Sequence, residues 1–247
     1  MAKTVRIFHV SDLHFGREDR ATLDWFADET TSEQPDAVIC TGDLTWRGTS
    51  REFAQAQEWL GSLGVPVSVE PGNHDMPYYW DPLRRLANPY ARFRKLREAV
   101  HRDLAVDGVR VIPLKTVARA QLRLNWSKGR VGRGVLDAAL AMLEEAGDRP
   151  LRLVACHHPL VDAGTHSTGS TRGGRQALAA LAHAGADAVL SGHVHDAFDR
   201  RVEAGGHTIR LIGAGTLSAR LRKSPPGYNL LEWSRNSGLD VTVRHRG

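Results

Sequence analysis

Residues 5–14 read VRIFHVSDLH, a β-branched run that ends in an Asp12-x-His14 pair. The same pattern returns four times: DAVICTGD over 36–43, VPVSVEPGNHD over 65–75, PLRLVACHH over 150–158 and DAVLSGHVH over 187–195. Short apolar runs bounded by Gly, Pro and polar residues predict buried strands. Each run is followed by Asp, Asn or His. The polar motifs therefore gather at the carboxyl ends of strands, where open α/β sheets bind their ligands. Six of the twelve histidines lie inside these motifs, and histidine is the commonest metal ligand.

Between the strands the sequence changes period. A helix is expected over 18–30, and Thr49-Ser50-Arg51-Glu52 forms a capping box that opens another. Phe53, Ala56, Leu60 and Leu63 share one face of that helix, and Gly64 ends it. The second half offers strands over 109–114, 151–156 and 187–191, with helices near 134–146 and 174–184. Four strand-like runs follow (AFDRRVEA, HTIRLIGA, YNLLEWS, LDVTVRH), and their succession without helices implies antiparallel pairing. The expected fold class is α/β: a four-layer αββα sandwich of two mixed β-sheets flanked by helices, forming one domain over 1–247. Residues 76–107 break the rhythm with three prolines, a run of Arg and Lys, and Tyr78, Tyr79, Trp80 and Tyr90. This stretch reads as a cap insert over the site, with Pro89 at the first position of a basic helix over 89–100.

Composition narrows the class without deciding it. The net charge of +5 suits an anionic partner, but the arginines are spread rather than massed, so no stable nucleic-acid partner is expected. The two cysteines, Cys40 and Cys156, each close an apolar run and read as buried thiols rather than a disulfide. MAKTVRIFHVSD enters the first strand at once, without a signal-type segment, and no run nears the roughly 20 apolar residues of a membrane span. A cytoplasmic location is expected, with peripheral membrane contact left open and oligomeric state unread.

The motifs supply donors for two metal ions. Asp43 is the bridging candidate, because one carboxylate spans ions about 3.5–4 Å apart. Taken alone, a Gly-Asp-Leu-Thr loop reads as a turn. Asp12 and His14 alternate about one residue, as do His193 and His195, so each pair turns toward one ion. Asn73 and His157 extend the set. Nitrogen and oxygen donors without thiolate suit Mn, Fe or Zn rather than Mg or Ca. Asp75 is the carboxylate placed to orient His74, with a purely structural turn role as the alternative. His158 reads as a turn residue or an outer partner of the site, His9 as a core residue, and His166 as an exposed loop residue.

Together the motifs resemble the calcineurin-like metallophosphoesterase superfamily, whose pattern is D-x-H, G-D, G-N-H-[DE], H and G-H-x-H, over roughly residues 5–200. The resemblance implies that Asp12, His14, Asp43 and His195 hold one ion and Asp43, Asn73, His157 and His193 the other. It implies a catalytic role for His74, backed by Asp75, and none for it as a ligand. Asn73 and His74 would contact substrate, and Trp80 and Arg84 of the insert would add a wall of the pocket. DLHFGR (12–17), GDLTWRG (42–48) and GAGTL (213–217) look most like the bacterial cyclic-nucleotide and glycerophosphodiester phosphodiesterase branch. The implied reaction is hydrolysis of a small anionic phosphodiester by a hydroxide bridging the ions, His74 protonating the leaving oxygen. The alternatives are a hydrolase of nucleotide-linked lipid precursors, or a non-catalytic scaffold on the same fold. Scaffolds lose ligands, and none is missing here.

Overall fold

Alternation along β1 (Val5–Val10) divides its side chains between two cores. Val5 and Ile7 join Ala37, Ile39, Leu153, Ala155, Ala188 and Leu190 in a layer between two sheets, whereas Phe8 and Val10 turn the other way, toward helices. Period-two patterning on strands buried on both faces produces this division. The computed structural model describes residues 4–77, 82–102, 104, 108–118, 127–146, 151–165, 171–222 and 224–247.

The first sheet has the order β10 (Gly238–His245), β9 (Gly227–Ser234), β1, β2 (Ala37–Cys40), β3 (Val67–Val69). The second runs β4 (Val109–Pro113), β5 (Leu151–Ala155), β6 (Ala188–Ser191), β8 (His207–Gly213), β7 (Phe198–Ala204). In the first, β1 pairs parallel with β2 and antiparallel with β9; in the second, β6 pairs parallel with β8 and β8 antiparallel with β7. Both sheets are mixed, as expected. Helices α1 (Arg20–Glu33) and α2 (Ser50–Ser62) bury Leu23, Phe26, Phe53, Ala56, Trp59 and Leu60 against the outer face of the first sheet. Leu178 and Leu181 pack a further helix, Gly174–His183, on the second sheet, as Ala139 and Leu143 pack Arg133–Glu144. The result is the αββα sandwich.

The C-terminal strands pair antiparallel, as expected, but two and two: β7 with β8 in one sheet, β9 with β10 in the other. The link 214–226 crosses from β8 to β9, and so from one sheet to its neighbour. Two other expectations need correction. Among the described residues between 76 and 107 there are two helices, α3 (Pro82–Ala87) and α4 (Ala91–Val100), rather than one. Tyr90 immediately precedes α4 as its N-cap, so Pro89 stands outside that helix. Nor is α4 peripheral: Phe93, Leu96 and Val100 enter the same core as α2, because their spacing gives it an apolar face. The helices from 133 and 174 are α5 and α6 below.

The capping box at the start of α2 forms: Glu52 N donates to Thr49 Oγ1 at 3.3 Å and Thr49 N to Glu52 Oε2 at 3.0 Å. Thr49→Ala should lower stability by about 1 kcal/mol in chemical denaturation. An unchanged midpoint would mean that Glu52, which also accepts from Arg47 N at 2.9 Å, holds the turn alone.

Candidate metal centre

The loops beyond β1, β2 and β6 adopt a conformation that L-residues rarely take. Among the described non-glycine residues, those with positive φ are Asp12 (58°), His14 (47°), Asp43 (53°), His193 (71°), His195 (60°) and Gln34, which caps α1. All but the last are expected ligands. Such backbone costs of order 1–3 kcal/mol per residue and persists where surrounding structure overdetermines it. Here Asp12 N donates to Gly42 O at 2.9 Å, His14 N to Asp43 O at 3.0 Å, and His193 N to Asp12 Oδ2 at 2.8 Å. Glycine is obligatory at 72, where any Cβ would overlap Asp43 N and Oδ1, and at 192, where it would overlap Ser11 Oγ.

Asp43 lies between two groups of donors. Its Oδ2 is 3.8 Å from His14 Nε2 on one side and 3.4 Å from His157 Nε2 on the other. On the first side, Asp12 Oδ1 is 3.1 Å from His195 Nε2 and 3.6 Å from His14 Nε2. On the second, Asn73 Oδ1 is 3.2 Å from His157 Nε2, and the His193 ring centroid is 5.1 Å from that of His157. The donor atoms of Asp12, His14 and His195 lie within 4.8 Å of one another, as do those of Asp12, Asp43 and His157.

Backbone carbonyls orient the rings. Nδ1 faces Thr41 O at 2.8 Å in His157, Arg220 O at 2.7 Å in His195, and Trp46 O at 2.7 Å in His74. Each carbonyl accepts from Nδ1–H, and in His157 and His195 this points Nε2 into the cluster, the ring orientation a metal ligand needs. Burial presses His14 down to about 3 and His193 to about 4, keeping these rings neutral. Burial also opposes ionisation of Asp43, but His157, His74 and His14 override it and hold the carboxyl well below its ordinary range. His157 shows the reverse balance: burial disfavours its charge, and Asp43 raises it to about 9.

A cation requires carboxylates and neutral imidazoles: Asp43, His14 and His193 already hold those states, whereas His157 and His195, raised by Asp43 and Asp12, would give up a proton to a bound ion. Asp12 Oδ1, buried and 3.1 Å from His195 Nε2, adds an acceptor aimed into the cluster. The residues therefore fit two metal ions with N/O ligands. Asp12, His14, Asp43, His157 and His195 are buried, whereas Asn73, His74 and His193 are half-exposed and mark the open face.

Asp75 does not orient His74. Its carboxyl accepts from Leu44 N at 3.2 Å, Thr45 N at 2.9 Å, Thr45 Oγ1 at 2.9 Å and Gly72 N at 2.8 Å, which ties the 43–45 and 72–75 turns together. The Trp46 carbonyl holds the His74 ring instead. This is the turn role, and four donors leave the carboxyl no reason to face an imidazole. His158 is spoken for on both nitrogens, by Thr116 Oγ1 at 3.0 Å and Ser127 O at 2.8 Å. His9 is buried between Thr41 Oγ1 and Asn229 Nδ2. Cys40 and Cys156 are free and buried. Arg84 is exposed on α3, and Tyr78, Tyr79, Trp80 and His166 lie outside the described residues.

Two residues at the open face escaped the sequence reading. The Trp46 ring stacks on His74 at 4.7 Å and 17°, and Arg220 sits over Trp46 at 4.5 Å. Arg220 Nη1 is 3.5 Å from both His14 Nε2 and His74 Nε2. The crossing link carries Arg220 there, and Thr216 Oγ1 secures that link by donating to Asp12 O at 2.7 Å. Position 46 lay inside the GDLTWRG motif. Nothing pointed to position 220 except its place three residues after GAGTL.

Histidine and carboxylate donors converging at the strand ends of an αββα sandwich define a metal-dependent hydrolase. The chain belongs to the calcineurin-like phosphoesterase family, which matches residues 5–197, and is thus a metal-dependent phosphoric ester hydrolase. It is similar to a probable cyclic nucleotide phosphodiesterase of Synechococcus sp., 27% identical over 80% of this chain and 76% of that protein. It is also similar to a probable glycerophosphodiester phosphodiesterase, GpdQ, of Arcobacter nitrofigilis, 28% identical over 87% of this chain and 79% of that one. A solved dimetal phosphatase from Danio rerio shares the fold at a TM-score of 0.66 and 13% identity, covering 98% of this chain and 99% of its own. Among the described residues, no helix is long and apolar enough to cross a membrane.

Proposed function

We propose that residues 1–247 form one catalytic unit, a binuclear phosphodiesterase acting on a cyclic nucleotide or another small organic phosphodiester. The observation that carries this is the position of Asp43 Oδ2 between His14 and His157, with a second set of donors on each side. Asp12, His14, Asp43 and His195 would hold one ion, and Asp43, Asn73, His157 and His193 the other. Mn, Fe and Zn all suit this donor set. When bound, the ions supply Lewis acidity toward phosphoryl oxygens and lower the pKa of a water at the site. The names of the two bacterial relatives, both phosphodiesterases, support the diester over the monoester.

The chain's own groups do the rest. His74 stands at the open face with Nδ1 fixed by Trp46 O, so Nε2 is the atom that would serve a leaving oxygen. Stacking under Trp46 keeps the ring from rotating. Arg220 brings a positive charge beside His74 Nε2, where it would pair with a phosphate oxygen and leave the imidazole to move the proton. Hydrogen bonds to charged groups contribute about 1.5–3 kcal/mol, so Arg220→Ala should lower kcat/KM for a diester by roughly 10- to 150-fold. An unchanged kcat/KM would remove Arg220 from the substrate site. A screen of the metal-loaded protein on bis(4-nitrophenyl) phosphate and 4-nitrophenyl phosphate tests the assignment. Faster turnover of the diester is expected, and activity on the monoester alone would refute it.

A further inference from the structure

A cavity of about 440 Å³ lies between α4 and α5, where the edge strands β3 and β4 of the two sheets end, and no expected metal ligand lines it. Its floor is buried and mostly apolar, with Val69, Phe93 and Ala139, but it includes Glu70. That carboxyl is only 5% exposed and has no hydrogen-bond partner among the described residues. Burial pushes it up to about 8 against the pull of Arg97 and Lys115. At the mouth, Arg94, Arg97 and Lys115 are exposed, with Lys115 Nζ 4.5 Å from the Tyr90 ring centroid.

These features restrict the ligand. An alkyl chain would leave the buried carboxyl unmatched, which is costly. An ammonium group would satisfy it but would meet Arg97 and Lys115. A neutral edge of N–H donors satisfies Glu70 without that repulsion, a flat ring suits Phe93 and Tyr90, and an anionic group suits the three cations at the mouth. The volume is that of an ordinary small-molecule pocket.

We propose that this cavity is a second binding site, separate from the metal centre, for a nucleoside phosphate whose base turns its N–H edge to Glu70. Guanine fits best, since its adjacent ring N–H and amino N–H match the two oxygens of the ionised carboxylate, a form that these two hydrogen bonds and the nearby Arg97 and Lys115 would favour once the base is seated. The phosphate is held by Arg94, Arg97 and Lys115.

Calorimetric titration of the wild-type metal-loaded protein with the four nucleoside 5′-monophosphates and ribose 5-phosphate tests this, repeated in Asp43→Asn, Ala138→Trp and Arg97→Ala. Ala138 lines the cavity from the exposed face of α5, so a tryptophan there fills the opening without entering the core. GMP should bind roughly tenfold or more tightly than CMP or UMP. That binding should survive Asp43→Asn, and both Ala138→Trp and Arg97→Ala should weaken it at least tenfold while hydrolysis of bis(4-nitrophenyl) phosphate stays at the wild-type rate. Arg97→Ala tests the same site should the tryptophan disturb folding. GMP binding lost in Asp43→Asn but intact in the cavity variants would assign it to the metal centre and overturn the proposal. So would equal affinity for ribose 5-phosphate, or no binding of any nucleotide at millimolar concentration.

Discussion

Asp43→Asn should leave the chain folded, deprive it of most of its metal, and slow diester hydrolysis by at least roughly 10²–10³-fold. The floor of that range follows from outer partners of metal ligands, whose loss alone costs 10–100-fold. Asp43 stands one step further in, between His14 Nε2 and His157 Nε2, and an amide offers neither its second anionic oxygen nor its charge. Folding should tolerate the change because the amide oxygen can still accept from His74 N, which now donates to Asp43 Oδ1 at 2.8 Å. Elemental analysis beside steady-state kinetics checks both halves. Wild-type turnover in metal-free Asp43→Asn protein would end the two-metal account.

His74→Ala should behave in the opposite way, keeping its metal and losing turnover. The ring belongs to the open face, half-exposed, with Nδ1 committed to Trp46 O and Nε2 facing Arg220. Removing an acid–base group costs about 10²–10⁴-fold. The loss should be largest for alkyl leaving groups and should shrink for nitrophenolate, which departs with little need of a proton. Rates compared across a leaving-group series supply the check. Equal losses throughout would assign His74 to holding phosphate, and a fall in metal content would make it a ligand.

Much of this was legible in the chain because the two periods involved are local. Val5, Ile7, Phe8 and Val10 announce a strand with two apolar faces, and Thr49 with Glu52 announces the start of a helix. The candidate donors were legible for a similar reason, since each follows its strand within four residues. What depended on distant partners was not. Asp75 looks like a partner for the next imidazole in sequence, yet its four hydrogen-bond donors come from residues 44, 45 and 72, which only the approach of two loops brings near. Arg220 reaches His74 across 146 positions, carried by a link that crosses between sheets. The apolar face of α4 was overlooked because Arg and Lys dominate its composition, although Phe93, Leu96 and Val100 keep helical spacing.

The central claim, that these donors hold a pair of ions around one shared carboxylate, is tested most directly by counting metal in the active protein. Mass spectrometry of the purified or reconstituted enzyme, normalised to protein, should give about two transition-metal ions per chain. Diesterase activity should rise with the occupancy of the second ion as metal is titrated back after chelation. Full activity at one ion per chain, or after complete removal of metal, would contradict it.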